Sequence, residues 1–212
     1  MPSKVLLIDD HPLLRRGLQQ LINDDPELEV AGEAGDGKDG LEKAKKLDPD
    51  LILLDLNMKG MDGLATLKAI RDAGITTRVV MLTVSDHQGD VAALFKAGAD
   101  GYLLKDMEPD ELIKNIHQAV NGQLVVDERL AEVMASLLRH DTGTGDQLST
   151  LTARECDIVW LIADGLSNKM IARELNITEG TVKVHVKHLL KKLGVRSRVE
   201  AAILMVNKGK RP

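Results

Sequence analysis

Four short runs of large apolar residues, each closed by a polar side chain, constrain this chain more than any other feature. Val5-Leu6-Leu7-Ile8 runs into Asp9-Asp10, and Leu51-Ile52-Leu53-Leu54 runs into Asp55. Val79-Val80-Met81-Leu82 ends in Thr83, and Tyr102-Leu103-Leu104 ends in Lys105. Continuous apolar runs of this length read as strands buried on both faces, as in parallel sheets covered by helices. Between them, Leu13 to Ile22, Leu64 to Ile70 and Leu112 to Val120 carry apolar residues at helical period. Gly35-Asp36-Gly37 and Asp72-Ala73-Gly74 supply turn signals. The alternation of strand and helix through about residue 122 predicts a doubly wound α/β domain.

Open parallel sheets place their sites at the carboxyl ends of the strands, where the strand order reverses. In that arrangement Asp9, Asp10, Asp55, Thr83 and Lys105 emerge at one edge. Singly, each has a plain explanation: an Asp after a strand caps a helix or forms a turn, and a loop Lys is solvated. Five such residues at four successive strand ends form a coherent set for phosphoryl chemistry. Clustered carboxylates repel one another and call for a hard cation such as Mg²⁺. One carboxylate can attack phosphorus, while a hydroxyl and an ammonium hold phosphate oxygens.

The net charge of −5 conceals an asymmetry. From Leu148 onward there are 12 basic and 6 acidic residues, or +6, against 16 and 27, or −11, in the first 147. A basic module tethered to an acidic one points to a polyanion partner for the smaller part, and gives the acidic part a reason to rest against it. The single cysteine, Cys156, rules out an intramolecular disulfide framework and suits a reducing cytoplasm. The first apolar run is too short for a signal peptide, and no stretch approaches membrane-spanning length. Glu128 to Leu138 has helical spacing, and the polar, Gly/Thr-rich Arg139 to Thr150 reads as a flexible linker.

The last 65 residues are rich in helix punctuation. Thr152-Ala153-Arg154-Glu155 forms a capping box. An apolar face through Ile158, Val159, Leu161 and Ile162 ends at Gly165. Ser167 or Asn168 can cap a helix over Lys169 to Leu175. After the turn Asn176-Ile177-Thr178, Thr178 can cap another that carries Thr181 to Leu193. Two short helices joined this tightly make a helix-turn-helix, whose second helix enters the major groove of double-stranded DNA. On it Val182, Val186, Leu189 and Leu190 form an inward stripe, while Lys183, Val184 and Lys187 lie on another face. Lysine can bond guanine edges and valine can meet a thymine methyl.

Through Leu7-Ile8-Asp9-Asp10-His11, Leu53-Leu54-Asp55-Leu56-Asn57-Met58, Leu82-Thr83 and Gly101-Tyr102-Leu103-Leu104-Lys105, the first part resembles the receiver domain of two-component response regulators. The resemblance implies Asp55 as phospho-acceptor, Asp9 and Asp10 as Mg²⁺ carboxylates beside Asp55, and Asn57 as a ligand through its carbonyl. It implies Thr83 and Lys105 as holders of the phosphoryl oxygens, and Tyr102 as the aromatic that turns inward when Thr83 shifts. Lys59 and Asp106 stand where many receivers have proline.

Leu151-Thr152, Arg154-Glu155, Gly165-Leu166-Ser167-Asn168-Lys169, Ile171-Ala172 and Thr181-Val182-Lys183 followed by His185 are similar to the LuxR-type DNA-binding domain of the NarL/FixJ response regulators. With Asp106-Met107-Glu108-Pro109 and Val184-His185-Val186-Lys187-His188, the chain most resembles the nitrate/nitrite response regulators. That resemblance implies base reading by Lys183, Val184 and Lys187, and phosphate contacts by Lys169, Thr181 and Lys191. It also implies a sensor histidine kinase as phosphoryl donor, a receiver that covers the recognition helix until phosphorylated, and a homodimer on DNA.

The expected molecule is a five-stranded parallel α/β doubly wound receiver over 1–122, a linker with a short helix over 123–147, and an all-α helix-turn-helix domain over 148–212. It is cytoplasmic, without a membrane partner, and not an enzyme. Two other readings compete. One is a constitutive DNA-binding protein with a silent receiver, although all five pocket residues are present. The other is a Mg²⁺-dependent phosphohydrolase with an aspartyl nucleophile, against which stands the position of Asp55-Leu56-Asn57 on a middle strand.

Overall fold

The computed structural model describes residues 2–84, 88–126 and 147–208. Its first part alternates strand and helix: β1 (Ser3–Ile8), α1 (Pro12–Asn23), β2 (Leu28–Ala34), α2 (Gly37–Leu47), β3 (Leu51–Asp55), α3 (Gly63–Asp72), β4 (Arg78–Thr83), α4 (Gln88–Lys96), β5 (Gly101–Leu104), α5 (Pro109–Asn121) and β6 (Val125–Val126). All strands pair in parallel, in the order β2-β1-β3-β4-β5-β6. The order reverses between β1 and β3, so the crevice of this open sheet lies where Asp9, Asp10 and Asp55 emerge.

The four apolar runs become β1, β3, β4 and β5, and side-chain alternation sends their residues to two cores. Leu6, Ile8, Ile52, Leu54 and Met81 pack on one face. Val5, Leu7, Leu51, Leu53 and Val80 pack on the other, against Ile22 and Ile116 from α1 and α5. Local chemistry sets the helix starts. Pro12 and Pro109 occupy first-turn positions, where a missing N–H costs nothing. The Asp36 and Asp62 carboxylates accept amide hydrogens of the first turns of α2 and α3.

The sheet has one strand more than the five expected. Val125 and Val126, in the stretch assigned to the linker, pair with Gly101 and Tyr102. Gly101 permits this, because a Cβ there would lie 2.7 Å from a methyl carbon of the buried Val125. The linker helix expected over Glu128–Leu138 lies outside the described residues, as does the linker up to residue 146. The end of that linker, Gln147–Thr150, is a 3-10 turn.

The second part is all helical: α6 (Ala153–Ala163), α7 (Asn168–Glu174), α8 (Glu179–Leu193) and α9 (Arg198–Lys208). Both halves of the Thr152/Glu155 capping box form, Ser167 caps α7, and Thr178 caps α8. Gly194 ends α8 at φ 67°, a left-handed conformation that glycine adopts without steric penalty. Ile158, Ile171, Val182, Val186, Leu189 and Ala201 are fully buried in a separate core. Glu155 is buried beneath α8, where its carboxylate meets Lys192 at 2.6 Å. Burial pushes this carboxyl up, but hydrogen bonds from Lys192 and Thr152 outweigh that and hold it below its ordinary value. Among the described residues no helix is long and apolar enough to cross a membrane.

Candidate functional site

Strand register builds the first site. Ile8 pairs with Leu54, Asp55 with Leu82, and Thr83 with Leu104, so the residues that follow converge at one sheet edge. Asp9 and Asp55 are buried there, and Asp10 is half-buried. The Lys105 ammonium reaches in from the end of β5, 2.7 Å from Asp9 Oδ2 and 2.9 Å from Asp55 Oδ2. Three carboxylates thus face one ammonium, an excess of negative charge in a partly desolvated place. Asp10 Oδ1 and Asp55 Oδ2 accept no hydrogen bond. Ligand atoms of Asp9, Asp10, His11 and Asp55 lie within 4.8 Å of one another. Clustered carboxylate oxygens with a single ammonium between them, all hard ligands, fit a hard divalent cation.

The remaining pocket residues expected from sequence fall at or beside this edge. Thr83 ends β4, fully buried, and its carbonyl accepts the Lys105 amide at 2.8 Å. Asn57 is exposed one turn past Asp55 and donates its backbone N–H to Asp55 Oδ1 at 3.2 Å. Tyr102 is fully buried on the sheet face shared with Met81 and Leu104, the inward position.

Four contributors escaped the sequence reading. Lys59 donates its backbone N–H to Asp10 Oδ2 at 3.0 Å, a bond that proline at this position would lack. The Arg15 guanidinium donates to the Asp9 carbonyl. His11 brings Nδ1 to 3.0 Å from Asp10 Oδ1 and 3.1 Å from Asp9 Oδ1. Gly63 lets α3 start directly beneath the acceptor, since a Cβ there would lie 2.2 Å from the Asp55 carbonyl oxygen. The departure of Lys59 from proline and the His11-Pro12 pair were visible in the sequence; Arg15 and Gly63 have no local signal.

The second site is the helix-turn-helix formed by α7 and α8. Val182, Val186, Leu189 and Leu190 face inward as their spacing requires. Lys183, Val184 and Lys187 fall on the opposite side, toward the first domain. Lys183 Nζ lies 2.7 Å from Asp48 Oδ2, in the turn between α2 and β3. Lys187 lies over Gly74, where a Cβ would sit 2.8 Å from its Cε. Val184 and Lys169 line the same crevice. Thr181 is exposed, its hydroxyl 2.8 Å from that of Thr178, and Lys191 is exposed further along α8. The face expected to read bases therefore rests on the amino-terminal edge of the sheet, and the carboxylate pocket occupies the opposite edge.

A second zone of contact joins the domains. The Arg78 guanidinium donates to the Ala119 and Val120 carbonyls at the end of α5 and, at 3.4 Å, to the Leu166 carbonyl of the helical domain. Arg198 donates to that same carbonyl at 3.0 Å and to Asn168 Oδ1 at 2.8 Å. Burial lowers the Arg78 guanidinium to about 10, partly offset by Asp100. Burial and then the neighbouring Arg78 charge bring Arg198 well below its ordinary value, with Asp100 opposing. Beside them Gly122, at φ 113°, passes so close to Gly165 that a Cβ would lie 1.9 Å from its carbonyl oxygen.

Comparison with known proteins gives the same division. The response regulator receiver domain matches residues 5–117, and the family described as bacterial regulatory proteins, luxR family, matches residues 149–205. The nitrate/nitrite response regulator protein NarL of Escherichia coli (strain K12) is 56% identical over 203 residues, covering 95% of this chain and 94% of that protein. The nitrate/nitrite response regulator protein NarP of the same organism is 52% identical, covering 97% and 95%. Among solved structures, the response regulator ChrA of a heme-sensing two-component system is 33% identical, with a TM-score of 0.53 over 98% of both chains.

Proposed function

Because the chain belongs to the response regulators that join a receiver domain to a LuxR-type DNA-binding domain, we propose that it is a phosphorylation-switched transcription regulator answering nitrate and nitrite. The reading rests on one observation above all: the carboxylates of Asp9, Asp10 and Asp55 cluster at the switch point of a parallel sheet, with the Lys105 ammonium between Asp9 and Asp55. It is a regulator rather than a phosphohydrolase.

Asp55 attacks the phosphorus of a phosphohistidine on a sensor kinase, and the imidazole leaves. Asp9, Asp10, Asp55 and the Asn57 carbonyl would hold Mg²⁺, which when bound neutralises charge developing on the phosphoryl oxygens. Lys105 now occupied by Asp9 and Asp55 turns to a phosphoryl oxygen, and the Thr83 hydroxyl takes another. Tyr102 is already inward, the position that the Thr83 shift would favour. The receiver extends through β6 to Val126, and the DNA-binding domain spans 148–212, with the linker between.

Without phosphate the receiver stands against Lys183 and Lys187 and blocks the approach of DNA to this face, although Val184 itself is 54% exposed. Phosphorylation releases them, and two copies bind paired half-sites in the cytoplasm. In a population-shift description the covered fraction lowers apparent DNA affinity in proportion to its weight. Lys169, Thr181 and Lys191 add phosphate contacts. Asp55→Asn keeps the shape of the acceptor and removes its nucleophile. This variant, treated with a small acyl phosphate and Mg²⁺, is expected to take up no label. Labelling to the extent of the parent protein overturns the assignment.

A further inference from the structure

We propose that His11 is a metal ligand of the carboxylate pocket, and that it gives this receiver a preference for transition-metal dications over Mg²⁺. The inference rests on the reading of that pocket as a divalent-cation site, and adds to it a residue and a selectivity.

The placement of His11 follows from its neighbours in sequence. Pro12 begins α1, and the residue before a proline is driven out of the helical region. His11 is accordingly extended, at φ −92° and ψ 102°, and its side chain caps nothing. The ring instead stands over the mouth of the pocket, with Nδ1 3.1 Å from Asp9 Oδ1, 3.0 Å from Asp10 Oδ1 and 3.7 Å from Asp55 Oδ2. Asp55 is buried, and its Oδ2 lies 3.7 Å from His11 Nδ1 and 2.9 Å from the Lys105 ammonium.

Those separations suit one coordination sphere. Bonds of about 2.1 Å from a metal to nitrogen and oxygen put adjacent ligands about 3.0 Å apart at right angles and about 3.4 Å apart in a tetrahedron. The distances from His11 Nδ1 to Asp9 and Asp10 match these spacings, and the Asp55 oxygen, at 3.7 Å, reaches the same ion after a shift of a few tenths of an ångström. Asp9 Oδ1 also accepts the backbone N–H of His11 at 2.7 Å, so histidine and carboxylate are fixed to each other by the main chain.

The chemistry of the donors sets the preference. Mg²⁺ takes oxygen ligands and keeps several waters, so an imidazole adds little to its binding. Co²⁺, Ni²⁺ and Zn²⁺ bind imidazole well and follow the rising order of affinity for mixed nitrogen and oxygen sites. A pocket of three carboxylates alone distinguishes these ions weakly; a fourth ligand of nitrogen sharpens the distinction. His11 thus allows such ions to compete with Mg²⁺ for the carboxylates that include the phospho-acceptor.

The test uses the full chain and His11→Ala, with Co²⁺ binding followed by its visible absorption at several Mg²⁺ concentrations. Competition identifies the pocket among the six histidines of the chain, and one data set yields both dissociation constants. The ratio of Co²⁺ to Mg²⁺ affinity is expected to fall about tenfold in His11→Ala, with loss of the nitrogen-ligand signature in the absorption. A histidine acting only as a counter-charge would change both affinities by the same factor, so an unchanged ratio overturns the proposal. If Asp10→Asn binds Co²⁺ as tightly as the parent protein, the ion sits elsewhere, and the cation-pocket reading itself falls together with this inference.

Discussion

Removing the charge of Asp48 should loosen the receiver's hold on the recognition helix, by an amount that the structure bounds. Asp48 lies at φ 46°, a left-handed conformation that asparagine also tolerates, so Asp48→Asn removes the charge while leaving the turn intact. Its partner Lys183 Nζ is 2.7 Å away, and the two side chains are 68% and 24% exposed. Coulomb attraction at that distance in water is about 1.5 kcal/mol. Ordering two side chains offsets part of it, and exposed pairs of this kind contribute about 0.2–1 kcal/mol. With the covered form dominant, the unphosphorylated variant should bind cognate DNA roughly 1.4- to 5-fold more tightly than the parent. The gain should shrink as salt screens the pair. Binding isotherms at low and high salt measure it, with the 148–212 fragment setting the ceiling and phosphorylated protein as the control. The reasoning is refuted if the fragment binds more tightly than the full chain while Asp48→Asn does not, or if the variant gains equally when phosphorylated.

Two further outcomes are expected. Lys183→Ala and Lys187→Ala should each reduce discrimination between cognate and scrambled DNA by roughly 1–3 kcal/mol. Lys191→Ala should weaken both DNAs equally and lower the salt slope by about one phosphate contact, so equal losses on both DNAs for all three would leave α8 with no reading role. The lowered carboxyl of Glu155 predicts stability that is present above its unfolded value near 4.5 and lost as pH falls through its lower folded value. Glu155→Gln should therefore lower the melting temperature of the helical domain at pH 7, by the equivalent of roughly 1–3 kcal/mol. That gap should narrow as pH falls below 4.5 and through the lower folded value, as followed by fluorescence of Trp160, the single tryptophan, which lies in α6; a constant gap would contradict the assigned cause.

Elements with strong local signals were legible in sequence. β1, β3, β4 and β5 announce themselves because strands buried on both faces must be continuously apolar. The caps at Thr152, Ser167 and Thr178 announce α6, α7 and α8 because side-chain oxygens must satisfy amides that helices leave free. β2 was less visible: its sequence LEVAGEA is mostly half-buried, as expected of an edge strand. β6 is two residues long and rests on the glycine opposite it, so it carries no pattern long enough to read. α9 is capped by Ser197, whose hydroxyl accepts the Glu200 amide at 3.2 Å, a local signal that the sequence reading passed over.

By itself the sequence determined which residues must end the central strands, and so that Asp9, Asp10, Asp55, Thr83 and Lys105 meet at one edge. Alternation and parallel pairing leave those side chains no other place. It also determined which face of α8 is buried, since helical spacing does that locally. Only the tertiary structure decided what the other face touches: Lys183 meets Asp48 and Lys187 meets Gly74 through contacts spanning more than a hundred residues of chain. Only it brought the buried Arg78 and Arg198 onto one carbonyl of Leu166, and the ring of His11 over three carboxylates. Such contacts depend on how finished elements pack, and packing joins residues whose local sequences carry no mark of one another.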